Sequence, residues 1–198
     1  MQLEIKTPSR TAPAKLVEAL YQRRSVRGFT SEAVTREALS PLIDAAVQAP
    51  SAMNAQPWSF TVVSDKALLA TISKNAKAHM LKELGGEAKA NSFSQMLGDP
   101  NFDIFYGAAA LVVISAPRDA AWAVEDCAMA AENLMLAAHA TGLGTCWIGF
   151  AQKWLNTTEG LAAIGLDASQ SAVAPIIVGH PKAKTDAVAR KVPSVRWV

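Results

Sequence analysis

Residues 122–140, WAVEDCAMAAENLMLAAHA, constrain the fold more than any other stretch of this chain. Val124, Cys127, Ala128, Ala131, Leu134, Met135 and Ala138 recur at helical spacing and form one apolar stripe. Eight of the twenty residues from 121 to 140 are alanine, so a neighbouring backbone can approach this helix closely. The segment predicts a central helix and a candidate contact between two subunits. Its carboxylates Glu125, Asp126 and Glu132 are expected on the polar side. AALVVISA (109–116) and VAPIIVG (173–179) read as buried strands, and WSFTVVS (58–64) has strand composition.

The remaining elements follow from the same periodicities. A helix is predicted over 12–24, after a polar arm at 1–11, and another over 35–48, where Leu39, Leu42, Ile43, Ala46 and Val47 share a face. Pro41 either bends that second helix or starts a shorter one capped by Ser40. Asp65 caps a helix over 66–84 that ends near Gly85 and Gly86. GLGTCWIGF (142–150) gives a glycine turn and a short strand, and 152–164 is expected as one helix. Residues 85–105, with turn chemistry at Gly98, Asp99 and Pro100, are expected to be a mobile lid. Phe93, Phe102 and Phe105 fall in it, and Tyr106 directly follows. Strands and helices mix without strict βαβ alternation, so the expected class is α+β, as one domain over 1–198. With 51% hydrophobic and 18% charged residues, the chain has more to bury than one monomer needs, and a dimer would use the excess.

The net charge of +2 leaves no nucleic-acid footprint. No apolar run reaches the roughly 18 residues of a membrane span, and MQLEIKTPSR lacks the apolar core of a secretory signal. A cytoplasmic protein with two reduced, buried thiols, Cys127 and Cys146, is expected.

The positive charge is clustered. RRSVRGF (23–29) places Arg23, Arg24 and Arg27 within five positions, with the Ser25 hydroxyl among them. Read as helix, Arg23 and Arg27 lie one turn apart on one side. Guanidinium forks match phosphate oxygens; a solvated helix end, favoured by the helix dipole, is the alternative use of the same charge. PSAMNAQPW (50–58) offers Ser51, Asn54 and Gln56 between prolines, donors and acceptors that can read the edge of a heterocycle; an ordinary turn is its plainer reading. GLGTCWIG is no dinucleotide fingerprint, because Trp147 stands where a third glycine is needed and the segment follows a helix. Gly144 and Gly149 instead permit backbone N–H groups near a flat ligand. His79, His139 and His180 show no metal-ligand spacing, and no hydrolytic triad can be assembled. A phosphate grip and a heterocycle reader, without a side-chain acid or base, suggest that a cofactor carries the reactivity.

At these residues the chain resembles the nitroreductase family of flavin mononucleotide (FMN) enzymes. RRSVRGF is similar to the family's flavin-phosphate and ribityl motif. APSAMNAQPWSFTVV is similar to its second flavin loop and the strand that follows. AAENLMLAAHATGLGTCWIGF resembles its central helix and the loop against the flavin ring. IIVGHP and ARKVPSV resemble its closing strand and phosphate-contacting tail. The resemblance implies a mostly antiparallel central sheet flanked by helices, and an intertwined homodimer that exchanges C-terminal extensions, here VPSVRWV. It implies that Arg23, Arg24, Ser25 and Arg27 hold the phosphate and sugar side of FMN. It implies that Pro50, Ser51 and Asn54 arrive from the other subunit, that Ile148 and Gly149 face the ring, and that Arg190 and Lys191 close on the phosphate. The implied activity is ping-pong hydride transfer from NADH or NADPH through flavin N5 to a small electron-poor acceptor, a nitroaromatic or a quinone, with no catalytic side chain and no metal. Phe102 and Phe105 would govern acceptor choice. The alternatives are a specialised flavin enzyme of the dehalogenating or flavin-cleaving type, and a flavin storage or sensing module without turnover.

Overall fold

In the computed structural model, residues 12–84 and 92–198 are described. The expected arm at 1–11 and the first part of the expected lid, 85–91, lie outside them. In chain order the elements are α1 (Ala12–Gln22), α2 (Arg36–Ala46), β1 (Ser59–Val63), α3 (Lys66–Leu84), α4 (Ser92–Gly98), β2 (Ala110–Pro117), α5 (Ala123–Ala140), β3 (Gly144–Trp147), α6 (Gly149–Leu155), α7 (Thr158–Ala163) and β4 (Gln170–Gly179).

The strands form one antiparallel sheet in the order β1-β2-β4-β3. Both central strands are buried almost throughout, because helices cover both faces. The period-two alternation of β2 sorts its residues between two cores. Val112, Ile114 and Ala116 pack with Leu39 and Leu42 of α2 and with Cys127, Ala130, Leu134 and Ala138 of α5. Leu111 and Val113 face the other way, toward Leu69 and Ile72 of α3 and toward Trp154 and Leu155 of α6. The two thiols sit in different cores, and burial pushes Cys127 up to about 12, so it is a neutral thiol near neutral pH. Pro175 sits inside β4 opposite Val113. In an antiparallel strand a residue's N and O point to the same neighbour. The Pro175 oxygen takes its bond from Ile148 N, at 2.8 Å, where β3 leaves the sheet. The missing N–H therefore falls at a ladder end.

One open choice is settled and three expectations change. α2 runs through Pro41 without a break; its cap is Thr35, whose Oγ1 accepts from Ala38 N at 3.3 Å, while Ser40 Oγ donates to the Arg36 carbonyl. The single helix expected over 152–164 is two. Asn156 leaves α6 to bind β4: its Oδ1 accepts from Ala172 N (3.0 Å) and its Nδ2 donates to the Ala172 carbonyl (2.8 Å). Thr157 then caps α7 through Gly160 N. On α5 the buried stripe excludes Val124, which is 62% exposed, and includes Asp126, which is 2% exposed. Lastly, α1 ends at Gln22, so Arg23–Arg27 are not helical.

Candidate functional site

Ser25 bridges Thr145 in parallel fashion, and Val26 N donates to the Thr145 carbonyl at 2.9 Å. The arginine segment thus runs as an extra strand-like edge beside β3. Ser25 and Arg27 are exposed while Val26 between them is buried, the alternation an extended backbone produces. Gly144 makes this docking possible: a Cβ there would stand 2.9 Å from Val26 and from Pro181. Its role is close packing, not the exposed N–H expected from the sequence. Gly149 does lie in open space.

The four sequence-selected residues of this segment have separate environments. Arg23 Nε lies 3.3 Å from Glu132 Oε1 on α5. Arg24 donates through Nη1 to the carbonyls of Tyr21 (2.7 Å) and Arg23 (2.8 Å), whereas its buried Nε has no hydrogen-bond partner. Ser25 lies beside the Cys146 thiol; burial raises that thiol above its ordinary range, and Arg27, Ser25 and Arg23 pull it back. Arg27 lies beside Tyr106, whose hydroxyl burial raises and the Arg27 charge pulls back. Beside the segment is a cleft of about 400 Å³ lined by Arg23, Arg24, His139, Gly144, Thr145 and Lys184, among others. The cation that the C-terminal region brings to this cleft is Lys184; Arg190 and Lys191 are exposed further along and do not line it.

Pro50, Ser51 and Asn54 lie in a separate loop that contributes nothing to that cleft within one subunit. The loop is strained: Met53, Asn54 and Gln56 all have left-handed φ, at 53°, 55° and 46°. Ser51 Oγ accepts from Gln56 N (2.9 Å), Gln56 Nε2 donates to Asn54 Oδ1 (3.0 Å), and Asp126 Oδ1 accepts from Ala52 N (2.9 Å). Ile148 is buried at the start of α6.

The described part of the expected lid is tied down. Lys77 Nζ, on α3, donates to the carbonyls of Asp99 and Phe102. Asp103 accepts from the backbone N–H groups of Phe105 and Gly107, both at 2.9 Å. This turn sets Tyr106 at φ 55° beside Arg27. Phe102 packs edge-on against Tyr106, 5.7 Å between centroids, and borders a second cavity of about 680 Å³ against α3. Phe105 is 1% exposed and belongs to the core. Sequence reasoning missed Asp126, Glu132, Tyr106 and Lys184 as site residues. For Asp126 a signal existed: positions 126, 130, 134 and 138 repeat every four residues along the apolar stripe.

An antiparallel sheet between helices with an arginine-bearing edge beside its shortest strand defines the class. The nitroreductase family profile matches residues 20–180, and the chain belongs to the nitroreductase family. A protein of Archaeoglobus fulgidus, provisionally named NADH dehydrogenase/NAD(P)H nitroreductase, is 30% identical over 86% of this chain and 87% of its own length. The 5,6-dimethylbenzimidazole synthase of Rhodospirillum rubrum is 30% identical over 84% of this chain and 82% of its own. Among solved structures, the FMN-dependent nitroreductase of Clostridium difficile is 26% identical, with a TM-score of 0.78 over 92% of this chain and 98% of its own.

Proposed function

We propose that this chain is a homodimeric, FMN-dependent oxidoreductase that uses NADH or NADPH to reduce a small electron-poor acceptor. The observation that carries the reading is the cleft that Arg23, Arg24 and Lys184 line together, beside the strand-like arginine segment. Three cations gathered at one cleft repel one another unless an anion neutralises them. A phosphate monoester supplies the charge and the oxygens, and Arg forks bind it bidentately. The residues therefore fit FMN.

FMN held here would supply the hydride chemistry that links a reduced nicotinamide to the acceptor. The chain's own residues bind and orient. Arg23, Arg24 and Lys184 take the phosphate end, with Arg190 and Lys191 closing over it. Ser25 and Arg27 lie along the ribityl chain, and Arg27 offers positive charge where the reduced ring gathers negative charge. Pro50, Ser51 and Asn54 complete the other subunit's site, and the Ile148–Gly149 backbone faces the ring. Surface composition supports the dimer: Leu16, Leu20 and Tyr21 of α1 are 56%, 54% and 78% exposed, and Trp197 in the tail 90%, more apolar surface than a monomer leaves in water. No helix among the described residues is long and apolar enough to cross a membrane.

The test is steady-state kinetics with a reduced nicotinamide and a quinone or nitroaromatic acceptor. Parallel double-reciprocal lines support the ping-pong reading, and a flavin-loaded chain that consumes no nicotinamide rejects it. Likeness to the synthase favours a specialised flavin chemistry as the second reading; flavin recovered intact after many turnovers would reject a flavin-cleaving role. Phe102 is the residue placed to shape acceptor choice. Phe102→Ala is expected to change the ratio of kcat/KM between quinone and nitroaromatic by about tenfold, the scale of lost apolar contact in a pocket. Phe105→Ala is expected instead to cost about 3–5 kcal/mol of stability. An unchanged ratio in the Phe102 variant would remove its role.

A further inference from the structure

Asp126 is the one carboxylate among the described residues that folding buries, at 2% exposure. A carboxylate takes no part in gripping a phosphate. A buried carboxylate is expensive unless hydrogen bonds and nearby positive potential compensate it. Two compensations are present. Asp126 lies in the first turn of α5, where the helix dipole is positive. Its Oδ1 also accepts the Ala52 N–H at 2.9 Å, across 74 residues of sequence.

That N–H belongs to the loop with three left-handed non-glycine residues, Met53, Asn54 and Gln56. Such conformations persist only where the surroundings over-determine them. The Ser51–Gln56 and Gln56–Asn54 bonds are internal to the loop and would travel with it if it moved. The Asp126 bond ties it from outside, to a helix whose Ala130, Ala131, Leu134 and Ala138 are fully enclosed. Six residues further along α5, Glu132 meets Arg23, about 9 Å away at 1.5 Å per residue. One rigid helix therefore references both the loop and the arginine segment.

We infer that Asp126 is a positioning residue: its buried carboxylate fixes Ala52 N–H and so holds the strained loop in the shape in which its Ser51 and Asn54 meet FMN. This rests on the FMN reading above. Asp126 touches no ligand and acts entirely through the loop.

The bond can be cut from either side. Asp126→Ala removes the acceptor, and Asp126→Asn keeps an acceptor oxygen without the charge. Ala52→Pro removes the donor; Ser51 is already extended (φ −137°, ψ 153°), as a residue before proline must be, and the first helical position accepts proline. The measurements are FMN affinity of the full-length apo chain by fluorescence quenching, the visible circular dichroism of the bound flavin, and the apo melting temperature. Asp126→Ala and Ala52→Pro are each expected to raise the Kd about tenfold or more and to alter the flavin dichroism, the scale of one lost charge-assisted hydrogen bond. Asp126→Asn is expected to stay within about threefold, and the double variant Asp126→Ala/Ala52→Pro to bind no more weakly than either single one, because both cut one interaction. Should Asp126→Ala fail to fold, Ala52→Pro and Asp126→Asn carry the comparison. A lowered melting temperature with unchanged Kd and dichroism would make Asp126 merely structural and overturn the inference, as would fully additive losses. An unmutated chain that takes up no FMN would instead fail the reading underneath.

Discussion

Arg24→Ala is expected to weaken FMN binding by roughly 10- to 100-fold while leaving a folded protein. The Arg24 guanidinium already donates through Nη1 to the Tyr21 and Arg23 carbonyls, just past the end of α1. Those bonds hold the head in place at the cleft that Arg23 and Lys184 also line. A hydrogen bond to a charged partner contributes about 1.5–3 kcal/mol, and each 1.4 kcal/mol is about tenfold in affinity. Arg24→Lys should recover little, because an ammonium group has no Nε and cannot make the planar fork. Equilibrium dialysis of FMN against each apo variant reads this directly. Equal affinity in Arg24→Ala and the unmutated chain would remove the phosphate assignment. The loss should also shrink at high ionic strength, because screening already weakens the parent grip.

A large effect on folding is expected at Gly160. This residue begins α7 against the end of α6, where a Cβ would overlap the Trp154 carbonyl oxygen and stand 2.7 Å from Leu155 Cα. The obstacles are backbone atoms, not the movable end of a side chain. The same turn anchors Asn156 to β4 and supplies the Thr157 cap, so relief by shifting α7 would break those bonds. Gly160→Ala should therefore cost about 3 kcal/mol or more, at the upper end of overpacking. Gly98→Ala, at a position with nothing within 4 Å of the added methyl, should be close to neutral. Denaturant unfolding of the two variants separates them; equal midpoints would refute the packing described at Gly160.

The sequence made the central layer legible for physical reasons. β2 and β4 are continuous apolar runs because both faces are covered, and the alanine-rich α5 must lie against something. RRSVRGF and PSAMNAQPW could be singled out because charge and polar groups were concentrated between apolar elements. What stayed hidden depends on partners distant in sequence. The break between α6 and α7 follows from Asn156 binding Ala172, sixteen residues on, which no local pattern contains. Asp126 reads as a surface carboxylate until the strained loop is seen above it. Phe105 reads as a lid residue beside turn-forming Gly98, Asp99 and Pro100, yet Ser73 and Lys77 pin the following backbone to α3 and carry Phe105 into the core. Pro41 lies inside α2 and not at its start, because the capping side chain is Thr35, not Ser40.

The most direct measurement is the visible absorption spectrum of the purified full-length chain, before and after addition of NADH or NADPH without oxygen. A flavin spectrum that is released as FMN on denaturation, and that bleaches with the reduced nicotinamide, is the predicted result. A colourless chain that stays colourless after incubation with excess FMN and gel filtration would contradict it.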